Sequence, residues 1–310
     1  MSLQEAFDNL LPQVEAELKG IVRLPHHSLG TYYGMMRYHL GWTDEAFQPV
    51  QTHPGKRIRP ILCLLSCQAL GGRIEQALPA AASLELIHNF SLVHDDIQDA
   101  SHTRRGRRAV WDIWGSAQGI NVGDGLFVLA RLALHRLGER GVSPARQQAA
   151  TLALDRACLA LCEGQFFDMT FEDHLEVDSD QYLWMIQHKT AALLATSVQL
   201  GAIIATDDTG VIDHLYSFGE NLGIAFQIRD DVLGTWGDEQ LTGKSAATDI
   251  RDKKKTLPVV YALHQDGDRD AARELSKLYT QPGLLDRTDI QAALALLDQV
   301  GAREHAEEME

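Results

Sequence analysis

Apolar residues recur at intervals of three and four along much of the chain, which is the spacing of one face of an α-helix. Two series show it clearly: Leu86, Phe90, Val93 and Ile97, and then Leu222, Ala225, Ile228, Val232 and Thr235. Only Pro144 lies between Pro79 and Pro258, so two stretches of more than sixty residues are free to form long helices. No segment alternates apolar and polar residues as a β-strand does. The pattern predicts an all-α fold in one domain, residues 1–310.

Glycine-rich or charged segments interrupt the helical pattern and predict loops. They cover residues 53–57, 71–73, 101–108, 207–210, 237–245 and 265–269. None is long enough, or rich enough in serine and proline, to be an interdomain linker. The acidic end of the chain, EHAEEME, predicts a frayed tail over about residues 302–310.

The chain is acidic, with a formal net charge of −15 over 310 residues. Such a chain repels nucleic acid and anionic lipid, so neither is an expected partner. No apolar run reaches the roughly 18 residues of a membrane helix, and the amino terminus lacks a secretion signal. We therefore expect a cytoplasmic protein without an integral membrane segment.

The four cysteines fall into two pairs, Cys63 with Cys67 and Cys158 with Cys162, each one helical turn apart in apolar sequence. A metal site needs more ligands than one such pair supplies. We interpret all four as small buried hydrophobic residues.

Two acidic clusters indicate metal chemistry. The segment HDDIQD places Asp95 and Asp99 one helical turn apart, so both carboxylates leave the same side of the helix. Mg²⁺ prefers such oxygen ligands and often completes its coordination with substrate phosphates. The segment QIRDD gathers Gln227, Asp230 and Asp231 on one side, opposite the apolar series, with one aspartate expected to bind metal and the other to hold metal-bound water. One cluster alone would fit a solvated acidic face, but two favour a metal site.

Positive charge is concentrated near these clusters. Twelve of the 28 basic residues fall in three short windows and one further lysine: Lys56, Arg57, Arg59, Arg104, Arg105, Arg107, Arg108, Lys244, Arg251, Lys253, Lys254 and Lys255. Arginine and lysine bind phosphate oxygens, so the pattern predicts small phosphorylated ligands. The sequence has no P-loop, HExxH or CxxC motif, which disfavours a nucleotide kinase or a hydrolase.

From GKRIRP at residue 55 to KKKTLP ending at residue 258, the motifs resemble those of the trans-isoprenyl diphosphate synthases, the polyprenyl synthetases. The resemblance implies an isoprenoid-synthase-type helical bundle around a central active-site cavity, paired as a homodimer. It implies a short-chain prenyltransferase that joins isopentenyl diphosphate head to tail to an allylic diphosphate, either dimethylallyl or geranyl diphosphate. It also implies Mg²⁺ as cofactor, for which Mn²⁺ can substitute.

The resemblance also implies roles for individual residues. The residues that match isopentenyl diphosphate contacts are Lys56, Arg59, His88 and Arg105. Those that match allylic diphosphate contacts are Arg104, Lys189, Lys244 and Lys254. Those that match the metal motifs are Asp95, Asp96, Asp99, Asp230 and Asp231. Lys189, Thr190 and Gln227 match catalytic positions near the allylic cation, and Gln165 and Asp168 match polar residues that line the cavity.

One position departs from the family pattern: Gly234 stands where the second motif usually ends in aspartate. Asp231, Thr235 and Glu239 recur every four residues, the spacing of the second metal motif of class I terpene cyclases. A cyclase is therefore an alternative, although it has no use for an isopentenyl diphosphate site. A non-catalytic partner subunit is a further alternative, and the complete first motif argues against it.

Product length depends on what closes the cavity. Phe90 lies five residues before Asp95, about 7.5 Å towards the amino end of the helix, beside Ser91 and Ile87. An aromatic residue there resembles the floor that limits chain growth in short-chain synthases, although Phe90 also fits ordinary core packing. The floor interpretation favours farnesyl diphosphate (C15), with geranylgeranyl diphosphate (C20) as the alternative.

Overall fold

The computed structural model describes residues 3–50, 52, 55–172, 174, 176–237, 247–264 and 269–310. These residues are mostly helical, as the apolar spacing predicts. They form two compact units. Unit 1 contains Met1–Cys158 and Thr196–Ser217, and unit 2 contains Leu159–Ala195 and Phe218–Glu310. The single domain over residues 1–310 stays a prediction.

The first elements of the chain are α1 (Leu3–Ile21), α2 (Gly30–His39), α3 (Ile58–Ala69), α4 (Ile74–Gln98), β1 (Thr103–Arg104), β2 (Arg107–Arg108), α5 (Val110–Trp114) and α6 (Ser116–His135). The next are α7 (Pro144–Glu172), α8 (Ser179–Ile186), a π-helical turn (Gln187–Ala191), α9 (Ala192–Ala205) and α10 (Thr209–Trp236). The last are α11 (Thr248–Arg251), α12 (Leu257–Leu263), α13 (Arg269–Thr280), α14 (Arg287–Gln299) and α15 (Ala302–Met309). Single 3₁₀ turns cover His27–Leu29 and Gly138–Arg140.

The core of unit 1 is built around α4. The successive residues Ala80, Ala81 and Ala82 are fully buried, so α4 is covered on all sides and not on one face alone. It packs against α1, α3 and α6, and Oγ of Ser83 donates a 2.8 Å hydrogen bond to the carbonyl of Ala130 on α6. The last turn of this buried helix carries the first aspartate cluster.

Residues 101–108, predicted as a loop, contain a short antiparallel hairpin. Arg104 of β1 pairs with Arg107 of β2, and the turn residues Arg105 and Gly106 have φ of 53° and 73°. Two successive left-handed residues are typical of a two-residue hairpin turn. Strands of two residues are too short for an alternating pattern, which is why the sequence predicted a loop.

Unit 2 contains two apolar clusters. One joins Tyr182 and Met185 of α8 to Ile228 and Val232 of α10. The other joins side chains of α11 to α14, including Ile250, Val259, Leu275 and Leu297. Asp178 caps α8 and Asp286 caps α14, each with a side chain that accepts hydrogen bonds from the first-turn backbone.

Two predictions need correction. The tail predicted to be frayed forms α15, because Ala302 and Ala306 give it an apolar face that is fully buried, and the ring of His305 stacks on Tyr261 at 3.9 Å. Cys162 is exposed, while the other three cysteines are buried. Cys162 lies on the same face of α7 as Leu159, which is also exposed.

Within the described ranges, no helix combines the length and the hydropathy needed to cross a membrane. The predicted cytoplasmic location stays a prediction.

Candidate active site

In unit 1, the carboxyl end of α4 carries two aspartates one helical turn apart, Asp95 in the last turn and Asp99 at the C-cap. The N–H of Asp99 donates a 2.8 Å hydrogen bond to the carbonyl of Asp95, so the turn between them is closed and both side chains lie on the same side. Asp95 is half-buried and Asp99 is exposed. In the part of the chain that the structure describes, no three His, Cys, Asp or Glu side chains already form a metal site. Two carboxylates one turn apart fit an ion such as Mg²⁺, which takes further oxygens from water and phosphate.

Asp96 has a different environment from its neighbours. It is 1% exposed, and its Oδ1 accepts hydrogen bonds from Nε of Arg104 at 2.8 Å and from Nη2 of Arg104 at 2.6 Å. Burial raises the pKa of Asp96, although Arg104 acts in the opposite direction. Asp96 therefore anchors the hairpin arginine near the carboxylates of Asp95 and Asp99.

The residues predicted to bind isopentenyl diphosphate all belong to unit 1. Lys56 is exposed, whereas Arg59 is half-buried and its Nε has no hydrogen-bond partner among the described residues. Burial and the charges of Arg59 and Arg105 lower the pKa of His88 well below its ordinary value, so the imidazole is neutral. A buried guanidinium N–H without an acceptor fits an anionic ligand such as a diphosphate.

The predicted floor residues differ in exposure. Ile87 is fully buried and Ser91 is 7% exposed, so both are core residues of α4. Phe90 is half-buried, and its ring packs against Phe127 of α6 and against His94, with centroid separations of 5.3 Å and 5.2 Å. Phe90 is the least buried of the three predicted floor residues.

In unit 2, most of the remaining predicted residues line an open cavity of about 180 Å³. We call it the unit 2 cavity. Its lining includes Asp168, Lys189, Thr190, Gln227, Asp230, Asp231 and Lys254. Gln165 is buried on α7 at 6% exposure. Lys244 and Glu239 lie outside the described residues.

Asp231 is a buried hydrogen-bond acceptor. It is 4% exposed, and its Oδ1 accepts from Nε2 of Gln227 at 3.0 Å. Its Oδ2 accepts from the hydroxyl of Tyr182 and from the N–H of Leu257. Burial raises the pKa of Asp231 to about 7, although these three donors act to lower it. Asp231 is therefore buried, whereas Asp230 is exposed. Both line the unit 2 cavity with Gln227, and their placement opposite the apolar series stays a prediction.

Lys189 and Thr190 lie in the π-helical turn between α8 and α9. Nζ of Lys189 forms an ion pair with Asp168, and the hydroxyl of Thr190 donates a 2.8 Å hydrogen bond to Oε1 of Gln227. Gly164 of α7 passes so close to this turn that a Cβ would overlap the backbone of Lys189. Single π-helical turns occur frequently at functional sites, and a glycine inside a long helix is the sequence signal that could have indicated this one.

Tyr182 and Asp249 are among the polar residues of the unit 2 cavity that the sequence motifs did not indicate. Oδ1 of Asp249 lies 3.5 Å from Nζ of Lys254, a residue predicted to bind the allylic diphosphate. Neither residue belongs to an acidic or basic run, so only the folded chain brings them to the cavity.

Similarity to known proteins agrees with this arrangement. Residues 41–297 match the polyprenyl synthetase family. Over 267 residues the chain is 41% identical to a geranylgeranyl diphosphate synthase of Mycobacterium tuberculosis, covering 86% of this chain and 75% of that one. Over 259 residues it is 40% identical to a (2E,6E)-farnesyl diphosphate synthase of Mycobacterium bovis, covering 84% and 69%.

Solved structures share the fold. A polyprenyl synthetase of Streptomyces coelicolor superposes with a TM-score of 0.88 at 35% identity, covering 99% of this chain and 88% of that one. A geranylgeranyl pyrophosphate synthetase of Pyrococcus horikoshii gives a TM-score of 0.87 at 34% identity with the same coverage. The predicted all-α isoprenoid-synthase fold and the predicted prenyltransferase class are confirmed. The motifs, the fold and the extended sequence similarity together place this chain in the polyprenyl synthetase family.

Proposed function

We propose that this chain is a short-chain prenyltransferase that condenses isopentenyl diphosphate head to tail with dimethylallyl or geranyl diphosphate. The observation that carries the proposal is in unit 1, where Asp95 and Asp99 lie one turn apart beside the anchored Arg104. Two carboxylates one turn apart next to an arginine suit a diphosphate that binds together with a divalent cation. The names of the relatives, farnesyl and geranylgeranyl diphosphate synthases, support the same class of substrate.

The metal-binding residues would be Asp95 and Asp99 in unit 1 and Asp230 in unit 2. Asp96 and Asp231 would support them from buried positions, where each already accepts hydrogen bonds from other side chains. These carboxylate oxygens fit Mg²⁺, and also Mn²⁺, better than a soft metal. When bound, Mg²⁺ offsets charge on the allylic diphosphate and makes it a better leaving group.

The basic residues would hold the two diphosphates. Those for isopentenyl diphosphate are Lys56, Arg59, His88 and Arg105, and those for the allylic diphosphate are Arg104, Lys189, Lys244 and Lys254. Their N–H groups donate to phosphate oxygens and stabilise the negative charge that develops as the allylic C–O bond breaks.

The oxygens of Thr190 and Gln227 would face the allylic cation. The Thr190 hydroxyl donates its hydrogen bond to Oε1 of Gln227, so its oxygen keeps lone pairs that can face a cation. The double bond of isopentenyl diphosphate attacks the cation, a carbon–carbon bond forms, and a proton leaves to the departing diphosphate. Gln165 and Asp168 would line this part of the site.

Farnesyl diphosphate is the proposed product, and geranylgeranyl diphosphate is the alternative. The half-buried ring of Phe90, packed on Phe127, supports its role as the floor that limits chain growth. A terpene cyclase is less well supported, because the middle residue of its motif, Thr235, is 1% exposed and so is buried away from solvent. The complete aspartate pair argues against a non-catalytic subunit.

A homodimer is also proposed, from an apolar face on α6. Ile120, Val128 and Leu132 share one face of this helix and are 48%, 52% and 55% exposed. Exposed apolar residues grouped in this way are typical of a protein interface. Sedimentation of the full chain should give twice the 34.3 kDa of one chain, and a stable monomer would contradict the dimer.

Incorporation of radiolabelled isopentenyl diphosphate tests the activity. The label is offered with dimethylallyl, geranyl or farnesyl diphosphate and Mg²⁺, and the products are separated by chromatography. Labelled prenyl diphosphates support the proposal. Failure with all three starters contradicts it, and a hydrocarbon released without isopentenyl diphosphate favours the cyclase.

A further inference from the structure

Arg57 lies in the middle of the GKRIRP segment, but its side chain is buried. It is 3% exposed and has φ of 49°, a left-handed conformation that few non-glycine residues adopt. Its guanidinium donates to Oε1 of Glu15 at 2.9 Å, to Oε1 of Glu85 at 2.6 Å and to the carbonyl of Leu40 at 3.2 Å. These three bonds fix the segment to α1, to α4 and to the end of α2, while the neighbouring Lys56 stays exposed.

Glu85 connects Arg57 to the hairpin. Glu85 is 2% exposed, and its Oε1 also accepts a 2.7 Å hydrogen bond from Nδ2 of Asn89, one turn later on α4. Asn89 is fully buried, and its Oδ1 lies 3.5 Å from Nη1 of Arg105 at the hairpin tip. The guanidinium of Arg105 in turn covers Gly55, where a Cβ would lie 3.1 Å from it. A continuous set of contacts therefore joins the two loops that carry predicted diphosphate ligands.

Glu85 is also the negative charge shared by three arginines. Burial lowers the pKa values of Arg59 and Arg105, and the carboxylate of Glu85 acts in the opposite direction on both. Burial acts in the same way on Arg57, but Glu85 and Glu15 outweigh it and the pKa of Arg57 is raised. Guanidinium groups this close repel one another when no anion lies between them. In the absence of substrate, the buried carboxylate of Glu85 supplies that anion.

We propose that Glu85, acting through Arg57 and Asn89, is a positioning residue that holds the GKRIRP segment and the hairpin tip at the separation needed for Arg59 and Arg105 to bind one diphosphate. The proposal rests on the proposed function, in which that diphosphate belongs to isopentenyl diphosphate. Glu85 does not touch the substrate. One carboxylate offsets part of the charge of the arginines, and the excess positive charge is left for the diphosphate.

The test is Glu85→Gln, which keeps the shape of the side chain and removes its charge. We expect KM for isopentenyl diphosphate to rise about tenfold or more, with kcat and the allylic KM changed less than about twofold, because a charge-assisted bond is lost at one subsite only. Glu17→Gln is the matched control, since Glu17 is 8% exposed and pairs with Arg136 at 2.7 Å and with Arg140 at 3.0 Å. It should lower Tm and leave all three kinetic constants unchanged. A merely structural role for Glu85 would make the two variants behave alike.

A second variant keeps the test decisive if Glu85→Gln does not fold. Asn89→Leu removes the acceptor that faces Arg105 and keeps the Glu85 to Arg57 bond, and it should raise the same KM selectively.

Calorimetry with inorganic pyrophosphate in metal-free buffer measures binding without turnover. Both variants, Glu85→Gln and Asn89→Leu, should bind pyrophosphate more weakly than wild type and than Glu17→Gln. A wild type that binds pyrophosphate but never incorporates isopentenyl diphosphate contradicts the proposed function alone. Equal pyrophosphate affinity in wild type and both variants overturns the positioning role.

Discussion

Gly234 of α10 lies directly against the carboxylate of Asp249, so that any side chain on residue 234 would overlap Oδ2 of Asp249. Asp249 lines the unit 2 cavity together with Asp230 and Asp231. The glycine that departs from the usual DDxxD pattern therefore stands where a carboxylate from another helix already fills the space.

Restoring the usual aspartate should be unfavourable. Gly234→Asp places two carboxylates together, so we expect it to unfold more easily than Gly234→Asn, by about 1 kcal/mol, through like-charge repulsion in a partly buried site. In an Asp249→Asn background the difference between the two variants should disappear. Urea unfolding in metal-free buffer measures all four proteins. Equal stability of the Asp and Asn variants with Asp249 present would contradict the contact.

Tyr182→Phe removes one of the three donors to the buried Asp231. The free energy of unfolding should fall by about 1–3 kcal/mol, because a buried acceptor loses its partner. Tyr279→Phe is the matched control: Tyr279 is 6% exposed, and its hydroxyl has no hydrogen-bond partner among the described residues. We expect the control to be neutral or stabilising. A similar cost for both substitutions would rule out the hydrogen bond as the cause.

Phe90→Ala should lengthen the products. Phe90 lies five residues before Asp95, and its ring packs on Phe127. Removing the ring opens space beside Phe127 into which a growing chain can extend. Chromatography of dephosphorylated products should show a shift from C15 towards C20 and longer. Leu86→Ala is the control, since Leu86 is fully buried on the same helix. It should cost about 2–5 kcal/mol of stability without changing product length. An unchanged distribution in Phe90→Ala would exclude the floor role.

Stability should fall in mild acid because of His39. This residue is 8% exposed, and burial together with Arg105 and Arg104 lowers its pKa well below the ordinary value. Below about pH 6.5 the unfolded chain binds a proton there and the folded chain does not, so the free energy of unfolding decreases as the pH falls from about 7 to 5. His39→Gln should reduce this slope by up to about 1.4 kcal/mol per pH unit. The exposed His214 gives a control variant, His214→Gln, that should keep the wild-type slope. Identical slopes in wild type and His39→Gln would contradict the assignment.

The sequence predicted the features that depend on spacing along one helix. The long helices α4 and α10 and the closed turn between Asp95 and Asp99 follow directly from apolar and acidic periodicity. The burial of Asp96 and Asp231 does not follow from it, because each depends on a donor from another element, Arg104 on β1 and Tyr182 on α8.

Local composition also misled at the carboxyl end. The acidic residues of EHAEEME suggested a solvated tail, whereas two alanines four residues apart, Ala302 and Ala306, suffice to bury one face of α15. In GKRIRP, Arg57 looked like another phosphate ligand. Its left-handed backbone, which a sequence does not reveal, turns it into the core towards Glu85 instead.

The proposed activity is tested most directly by incorporation of radiolabelled isopentenyl diphosphate in wild type, Asp95→Ala and the control Asp213→Ala, whose carboxylate is exposed on α10. With geranyl diphosphate and Mg²⁺, wild type and the control should form labelled C15 diphosphate, and a chelator should stop both. Asp95→Ala should lose about 10²–10³-fold or more of the turnover at an unchanged Tm, because a carboxylate that holds the cation at the leaving diphosphate is removed. No incorporation by wild type with any allylic starter, or full activity of Asp95→Ala, would contradict the proposed function.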